Sequence, residues 1–225
     1  MRAVIVANGP MAKRPFPAIQ QRDEDLVICV DGGAKNALAL GLRPQVAIGD
    51  MDSMDSELRT RLEQEGCRFV EHSPRKDETD SELAIRYALA QGATELVLLA
   101  ALGGRIDHTL ANVMLLALPE LSEMRARLID GNQELRLVRS ETAIEGTPGD
   151  LVSLVPLCGD AIEIHTEGLE YALHGGSLKF GAARGVSNVL VAARAKVSVG
   201  RGLLLLVHHH QLPVTGHEPE PQGGC

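Results

Sequence analysis

Aromatic residues are scarce here: tryptophan does not occur, and Phe and Tyr together make up only 2% of the 225 residues. So few rings leave little from which to build a base-stacking platform for single-stranded nucleic acid. No run of basic residues offsets a formal charge of −8, so a nucleic-acid partner is not expected. Cys29, Cys67, Cys158 and Cys225 have no paired spacing, which suggests neither a zinc site nor a disulfide framework. No stretch approaches the roughly 18 consecutive apolar residues of a membrane span. The apolar run Ala3–Ala7 is too short for a secretory signal. These absences predict a cytoplasmic protein with no membrane partner. Both common nucleotide fingerprints, Gly-x-x-x-x-Gly-Lys-Ser/Thr and Gly-x-Gly-x-x-Gly, are missing too. Gly32-Gly33-Ala34-Lys35 has the right residue types at the wrong spacing.

What is present is an ordinary globular composition, 44% hydrophobic and 23% charged, long enough for one large domain or two modest ones. Short apolar runs at Ala3–Ala7, Leu26–Val30, Val46–Ile48, Arg68–Glu71, Leu96–Ala101 and Leu128–Ile129 read as strands. Between them lie helical stretches at Ala34–Leu40, Ser56–Glu65, Asp80–Ala90 and Thr109–Leu118. Thr79 and Glu82 have capping-box spacing, which sets the third helix start near Asp80. Strands that are apolar throughout and alternate with helices predict a parallel sheet covered on both faces. After about Gly131 short strand-like runs follow one another with no helix between them. They fall at Glu134–Arg139, Leu151–Pro156, Ala161–Thr166, Leu169–Leu173, Val189–Ala192, Ala195–Val199 and Leu203–Val207. The expected fold is α/β: a three-layer parallel-sheet domain over residues 1–135, then a smaller all-β sandwich over 136–211. A Pro-, Gly- and Glu-rich tail over 212–225 is expected to be disordered.

The chemistry is concentrated where strands end. Asp31, Asp50 and Asp52, Lys76 with Asp77 and Asp80, and Arg105 with Asp107 each follow a different predicted strand. Ligands of open α/β sheets bind along that carboxyl edge. Acidic side chains crowded together repel one another unless a hard cation neutralises them, and Mg²⁺ takes carboxylate and phosphate oxygens. Gly49-Asp50-Met51-Asp52-Ser53 and Lys76-Asp77-Glu78-Thr79-Asp80 therefore predict a Mg²⁺–nucleotide site. Gly103-Gly104-Arg105-Ile106-Asp107-His108 opens a helix, where backbone N–H groups and a planar guanidinium suit phosphate. Read singly, each motif is equally a turn or a helix start; it is their convergence on one edge that argues for a site. Two other motifs are set aside. His208-His209-His210 is read as a solvated strand end, and Leu212-Pro213-Val214-Thr215-Gly216 lacks the apolar anchor that would make it a sorting signal.

Taken in order, Asp31-Gly32-Gly33-Ala34, the two acidic motifs and Gly103–His108 resemble the thiamine pyrophosphokinase family. So do Gly168-Leu169-Glu170-Tyr171-Ala172-Leu173, Arg184-Gly185-Val186-Ser187-Asn188 and Gly202–Val207. The resemblance implies transfer of a pyrophosphoryl group from ATP to the hydroxyl of thiamine, giving thiamine diphosphate and AMP, in a homodimer with thiamine near the subunit interface. It implies Asp50, Asp52, Asp77 and Asp80 around Mg²⁺, with Asp31 and Gly32 beside the nucleotide. Gly103, Gly104, Arg105, Asp107 and His108 would face ATP, and Ser187 and Asn188 the thiamine pyrimidine. Val189 stands where many relatives have Glu, and Ala172 where Pro is frequent. The animal relatives' Trp has no counterpart, so Tyr171 or Phe180 would take its place.

The mechanism expected on this reading is positioning plus charge neutralisation. Lys76 and Arg105 would offset charge on the transferred group or the leaving AMP, and a free carboxylate such as Asp80 would take the alcohol proton. Two other readings stand beside it. One is a Mg²⁺-dependent kinase or pyrophosphohydrolase for another small alcohol or nucleotide, and the other is a non-catalytic ATP- or thiamine-sensing module.

Overall fold

A computed structural model describes residues 1–11, 19–73 and 77–211. Lys76, most of the proline-rich segment after Met11 and the whole 212–225 tail lie outside the described residues. The first half runs β1 (Arg2–Val6), β2 (Leu26–Val30), α1 (Gly33–Ala39), β3 (Val46–Gly49), α2 (Ser56–Gln64), β4 (Arg68–Glu71), α3 (Asp80–Ala90), β5 (Glu95–Leu99), α4 (Ile106–Leu115) and β6 (Arg125–Asp130). Its strands are parallel, in the order β6-β5-β1-β2-β3-β4.

The uniformly apolar strands are explained by the two cores they serve. Successive side chains point to opposite faces. Ile5, Ile28, Leu96 and Leu98 meet Ala84, Ile85 and Ala88 of α3 and Leu115 of α4. Val4, Val6, Val27, Cys29, Val97 and Leu99 meet Ala34 and Ala37 of α1 and Leu62 of α2. Burial pushes the Cys29 thiol well above its ordinary range, which makes it a core residue and not a reactive one. Among the described residues no helix is long and apolar enough to cross a membrane.

The second half adds β7 (Gln133–Val138), β8 (Glu141–Glu145), β9 (Leu151–Pro156), β10 (Ala161–Glu167), β11 (His174–Leu178), β12 (Asn188–Val189), β13 (Arg194–Ser198) and β14 (Leu204–His209). It is a sandwich, but one of its layers is not its own. β7 turns back on β6 through Gly131, whose φ is 55°, and pairs with it antiparallel. β14, β9 and β12 then extend the same sheet to ten strands. The opposite layer is the sheet β11-β10-β13-β8. Val138, Val152, Leu154, Leu204 and Leu206 from the first layer close a third core against Ile144, Ala161, Ile164 and Val197 from the second.

Several expectations change in detail. α4 begins at Ile106 and ends at Leu115 rather than spanning Thr109–Leu118, so Asp107 and His108 lie in its first turn. Leu169–Leu173 is not a strand; only Leu169 bridges, to Leu190. β8 and β11 were not foreseen, because β8 carries a single fully buried residue, Ile144, and β11 contains two glycines, a residue depleted in strands. The histidine triplet is not a solvated end. His208 lies within β14 and is 3% exposed, covered by a partner distant in sequence.

Candidate active site

The carboxyl edge of the parallel strands is where the sharpest local geometry occurs. β2 is followed directly by Asp31, whose φ of 48° turns the chain over the end of β3, and its N–H donates to the Ile48 carbonyl at 3.0 Å. Gly49 follows, also with positive φ, 148°. A Cβ at Gly49 would fall on the Asp31 carboxylate, so only glycine lets the acid lie against the end of β3. The Gly32 N–H donates to Ser53 Oγ at 2.8 Å, joining the loop after β2 to the loop after β3. The Asp52 N–H donates to Asp50 Oδ1 at 3.2 Å, tightening the acidic turn.

Asp31 is the centre of the cluster. Burial first, then the charges of Asp80 and Asp50, push its carboxyl up to about 6, opposed by the Met51 N–H. Its Oδ1 is buried and finds no hydrogen-bond partner among the described residues. Three loops thus converge at one point: Asp31 after β2, Asp50 after β3, and Asp80 at the first position of α3. Thr79 caps that helix by accepting the Glu82 N–H at 3.2 Å. Asp52 is exposed beside Asp50, and Asp77 is exposed in the bend ahead of Thr79. Such mutual repulsion is the state a divalent cation relieves.

The loops after β1 and β5 form the adjacent wall. The Gly9 N–H donates to the Ala100 carbonyl at 2.8 Å, and Asn36 Nδ2 donates to the Ala7 and Gly9 carbonyls at 3.0 Å each. Asn8 packs directly over the Gly32 backbone. Neither asparagine was singled out in the sequence, where Asn8-Gly9 reads only as a turn. Gly103 and Gly104 have φ of 82° and 67° and lead into the N-terminus of α4. Arg105 forks the Asp107 carboxylate, Nε to Oδ1 at 3.1 Å and Nη2 to Oδ2 at 2.5 Å. The guanidinium holds the Asp107 acid down at about 2. Both side chains are well exposed, 73% and 62%, so the pair contributes little to stability and a phosphate can compete for the same fork. His108 is exposed beside it.

The remaining sequence candidates gather elsewhere. A cavity of about 300 Å³ is lined by Tyr171, Leu173, Leu178, Arg184, Ser187 and Asn188, among others. Ser187 has a φ of 61°, and its N–H donates to Ser153 Oγ at 3.0 Å. The Asn188 amide stitches the rim. Its Oδ1 accepts the N–H groups of Tyr171 and Val189 at 3.0 and 2.8 Å, and its Nδ2 donates to the Tyr171 carbonyl at 2.9 Å. Phe180, the alternative aromatic, is 61% exposed and is not among the residues lining this cavity.

Two family profiles match the chain, one in each half. Residues 20–128 match the family profile "Thiamin pyrophosphokinase, catalytic domain", and residues 136–204 match "Thiamin pyrophosphokinase, vitamin B1 binding domain". The chain is 30% identical to a thiamine pyrophosphokinase of Bacillus subtilis over 205 residues, covering 90% of this chain and 96% of the relative. It is 25% identical to thiamine pyrophosphokinase 1 of Oryza sativa, covering 90% and 85%. The crystal structure of the Bacillus subtilis protein superposes with a TM-score of 0.85 at 29% identity, over 94% of this chain and all (100%) of that one. That of a thiamin pyrophosphokinase from Geobacillus thermodenitrificans gives 0.80 at 26% identity, over 94% and 98%.

Proposed function

This chain belongs to the thiamine pyrophosphokinase family, and from that premise we propose how its own residues perform the family's reaction. Pyrophosphoryl passes from ATP to the hydroxyl of thiamine, leaving AMP. Residues 1–135 form the ATP- and Mg²⁺-binding part and residues 136–211 the thiamine-binding part. The observation that carries the assignment is the half-buried Asp31 carboxylate, whose buried Oδ1 lacks a partner among the described residues and which is crowded by Asp50 and Asp80.

An all-oxygen set of this kind fits Mg²⁺, which Asp50, Asp52 and either Asp77 or Asp80 would hold, with Asp31 beside them. When bound there, the ion supplies neutralisation of polyphosphate charge. The chain's own groups do the rest. The Gly103–Gly104 turn and the α4 N-terminus present backbone N–H groups to phosphate. Arg105 exchanges Asp107 for phosphate oxygens, His108 lies alongside, and a carboxylate, Asp80 in the first instance, takes the thiamine hydroxyl proton. Lys76 belongs to the same proposal on sequence grounds alone.

Tyr171, Ser187 and Asn188 would hold thiamine in the cavity of the β-rich half. Along the continuous sheet, β12 is seven strands from β2, on the order of 30 Å at the usual strand spacing. A small alcohol seated beside β12 cannot reach phosphates beside β2 of the same chain. This supports a homodimer in which one copy's thiamine cavity faces its partner's aspartates.

Incubation with ATP and thiamine should yield AMP and thiamine diphosphate in equal amounts. ADP would indicate a simple kinase, AMP without thiamine diphosphate a pyrophosphohydrolase, and binding with no product a sensor. Asn188→Ala loses three hydrogen bonds that position Tyr171 and Val189, each contributing about 1 kcal/mol net. It should raise the KM for thiamine about 10–100-fold and leave the KM for ATP unchanged; a rise in the ATP value instead would move the thiamine site elsewhere. Co-folding Asp31→Asn chains with Asn188→Ala chains should restore activity at low thiamine, because one site of each mixed dimer is then intact. No restoration would mean that each site is built within one chain.

A further inference from the structure

We propose that Asp150, His208 and His210 form a second metal site, specific for a zinc-like transition-metal ion, where β14 ends beside the start of β9. It stands independently of the thiamine pyrophosphokinase reading. Residues two apart on a strand share a face, so His208 and His210 point the same way while His209 points to solvent. Asp150, immediately before β9, meets them across the β9–β14 pairing. His208 Nε2 lies 2.8 Å and His210 Nδ1 3.6 Å from Asp150 Oδ2. The two rings lie 3.8 Å apart between centroids. One ligand atom from each residue falls within 4.8 Å of the others. Two ligands about 2.1 Å from a common tetrahedral ion are about 3.4 Å apart, so closure on an ion needs movements on the order of 1 Å.

The surroundings are those of a built site. Asp150 is 1% and His208 3% exposed. The carboxylate is oriented by two backbone donors: the Gln211 N–H to Oδ1 at 2.8 Å and the Thr147 N–H to Oδ2 at 3.0 Å. Outer contacts of this kind fix the direction of metal ligands. A Cβ at Gly146 would lie 2.5 Å from Asp150 Oδ2 and 2.8 Å from His208 Cε1, so only glycine lets this turn close on the two ligands without displacing them. His208 and His210 also line a cleft of about 890 Å³, with Glu134 and Arg136 on its wall. The cleft gives an ion a path in and supplies water for the remaining positions. Two imidazole nitrogens and one carboxylate oxygen suit Zn²⁺, Co²⁺ or Ni²⁺, whereas the all-oxygen aspartate cluster suits Mg²⁺. The ion's role would be to clasp the Gly146–Asp150 turn to the end of β14.

The test is titration of the EDTA-stripped full-length chain with Co²⁺ and then Zn²⁺, under excess Mg²⁺ to occupy the aspartate cluster. One Co²⁺ per chain should bind with a visible absorption band that Zn²⁺ abolishes. Zn²⁺ at about 100 times its dissociation constant should raise Tm by about 5–10 °C. His210→Gln should weaken binding at least about 100-fold, and the exposed His209→Ala should not change it. Absence of a band and of a thermal shift in the unaltered chain would overturn the proposal without recourse to any variant. So would equal weakening by His209→Ala, which would mark ordinary chelation at a strand end, or loss of the band in Asp31→Asn, which would assign the ion to the aspartates.

Discussion

Asp31→Asn is expected to lower turnover about 10²–10³-fold, the usual cost of removing one preorganised charge from a phosphoryl-transfer site, while raising the stability of the metal-free protein. The two effects share one cause. The Asp31 carboxyl is driven up to about 6 by burial and by the charges of Asp80 and Asp50, so at neutral pH the folded state carries a repulsion that the unfolded chain does not. An amide of the same shape removes the charge and keeps the contact with the end of β3. Relief of about 1 kcal/mol corresponds to a gain of about 2–4 °C in Tm for a chain of this size. Thermal melts without Mg²⁺, set beside steady-state AMP production at saturating ATP and thiamine, measure both. A variant that loses stability as well as activity would make the cluster a structural network. One that keeps wild-type turnover would remove Asp31 from the site altogether. Gly49→Ala makes a useful companion, since its Cβ would collide with the same carboxylate and should disturb both readouts together.

The convergence of acids was legible because strand ends were. Leu26–Val30 is a buried apolar run bounded by polar residues, and β2 has those bounds. Thr79 three residues before Glu82 places the start of α3 at Asp80, through the cap that was expected. What could not be read is which acid lies deepest. Asp50 and Asp52 stand out in the sequence, yet it is Asp31 whose carboxylate oxygen is enclosed without a partner among the described residues, because the missing Cβ at Gly49 admits it. That is a contact between residues 18 positions apart in the chain. The start of α4 escapes the sequence because its first turn, Ile106, Asp107 and His108, is wholly exposed and so carries no apolar face to mark it. β8 escaped notice because period-2 alternation needs several apolar residues, and only Ile144 is fully buried there. The histidine triplet was misjudged most sharply. Its burial rests on Asp150, 58 residues away, and no local pattern announces such a partner. The sharing of one sheet by both halves was equally hidden, since the β6–β7 hairpin at Gly131 looks in the sequence like a domain boundary.

Arg2→Ala should be among the most destabilising single substitutions, with a loss of about 3–5 kcal/mol, because it leaves a buried carboxylate without its counter-ion. Arg2 and Asp25 are 5% and 4% exposed. Arg2 Nε donates to Asp25 Oδ1 at 2.9 Å, and Nη2 donates to Oδ2 at 2.5 Å and to the Gln20 carbonyl at 2.7 Å. The Arg22 N–H adds a fourth bond, to Asp25 Oδ2 at 2.7 Å. Burial pushes the Asp25 acid up, but the Arg2 and Arg22 hydrogen bonds outweigh it and hold it below the ordinary carboxylate range. A depressed carboxyl contributes stability that is complete above its unfolded value near 4 and is lost as pH falls through the folded value. The difference between wild type and Arg2→Ala should therefore be full at pH 7, about 6–20 °C in Tm, and should shrink in acid below about pH 4. Melts at both pH values check the sign; a gap that widened in acid would contradict it. The loss should also reach the site. β1 lies inside the parallel sheet, pairing on both sides with β2 and β5. The strand that Arg2 anchors at one end delivers Asn8 and Gly9 to the carboxyl edge of the sheet at the other. Arg2→Ala should accordingly lose activity on warming before wild type does, while at low temperature, with β1 still paired, its KM for ATP should stay unchanged.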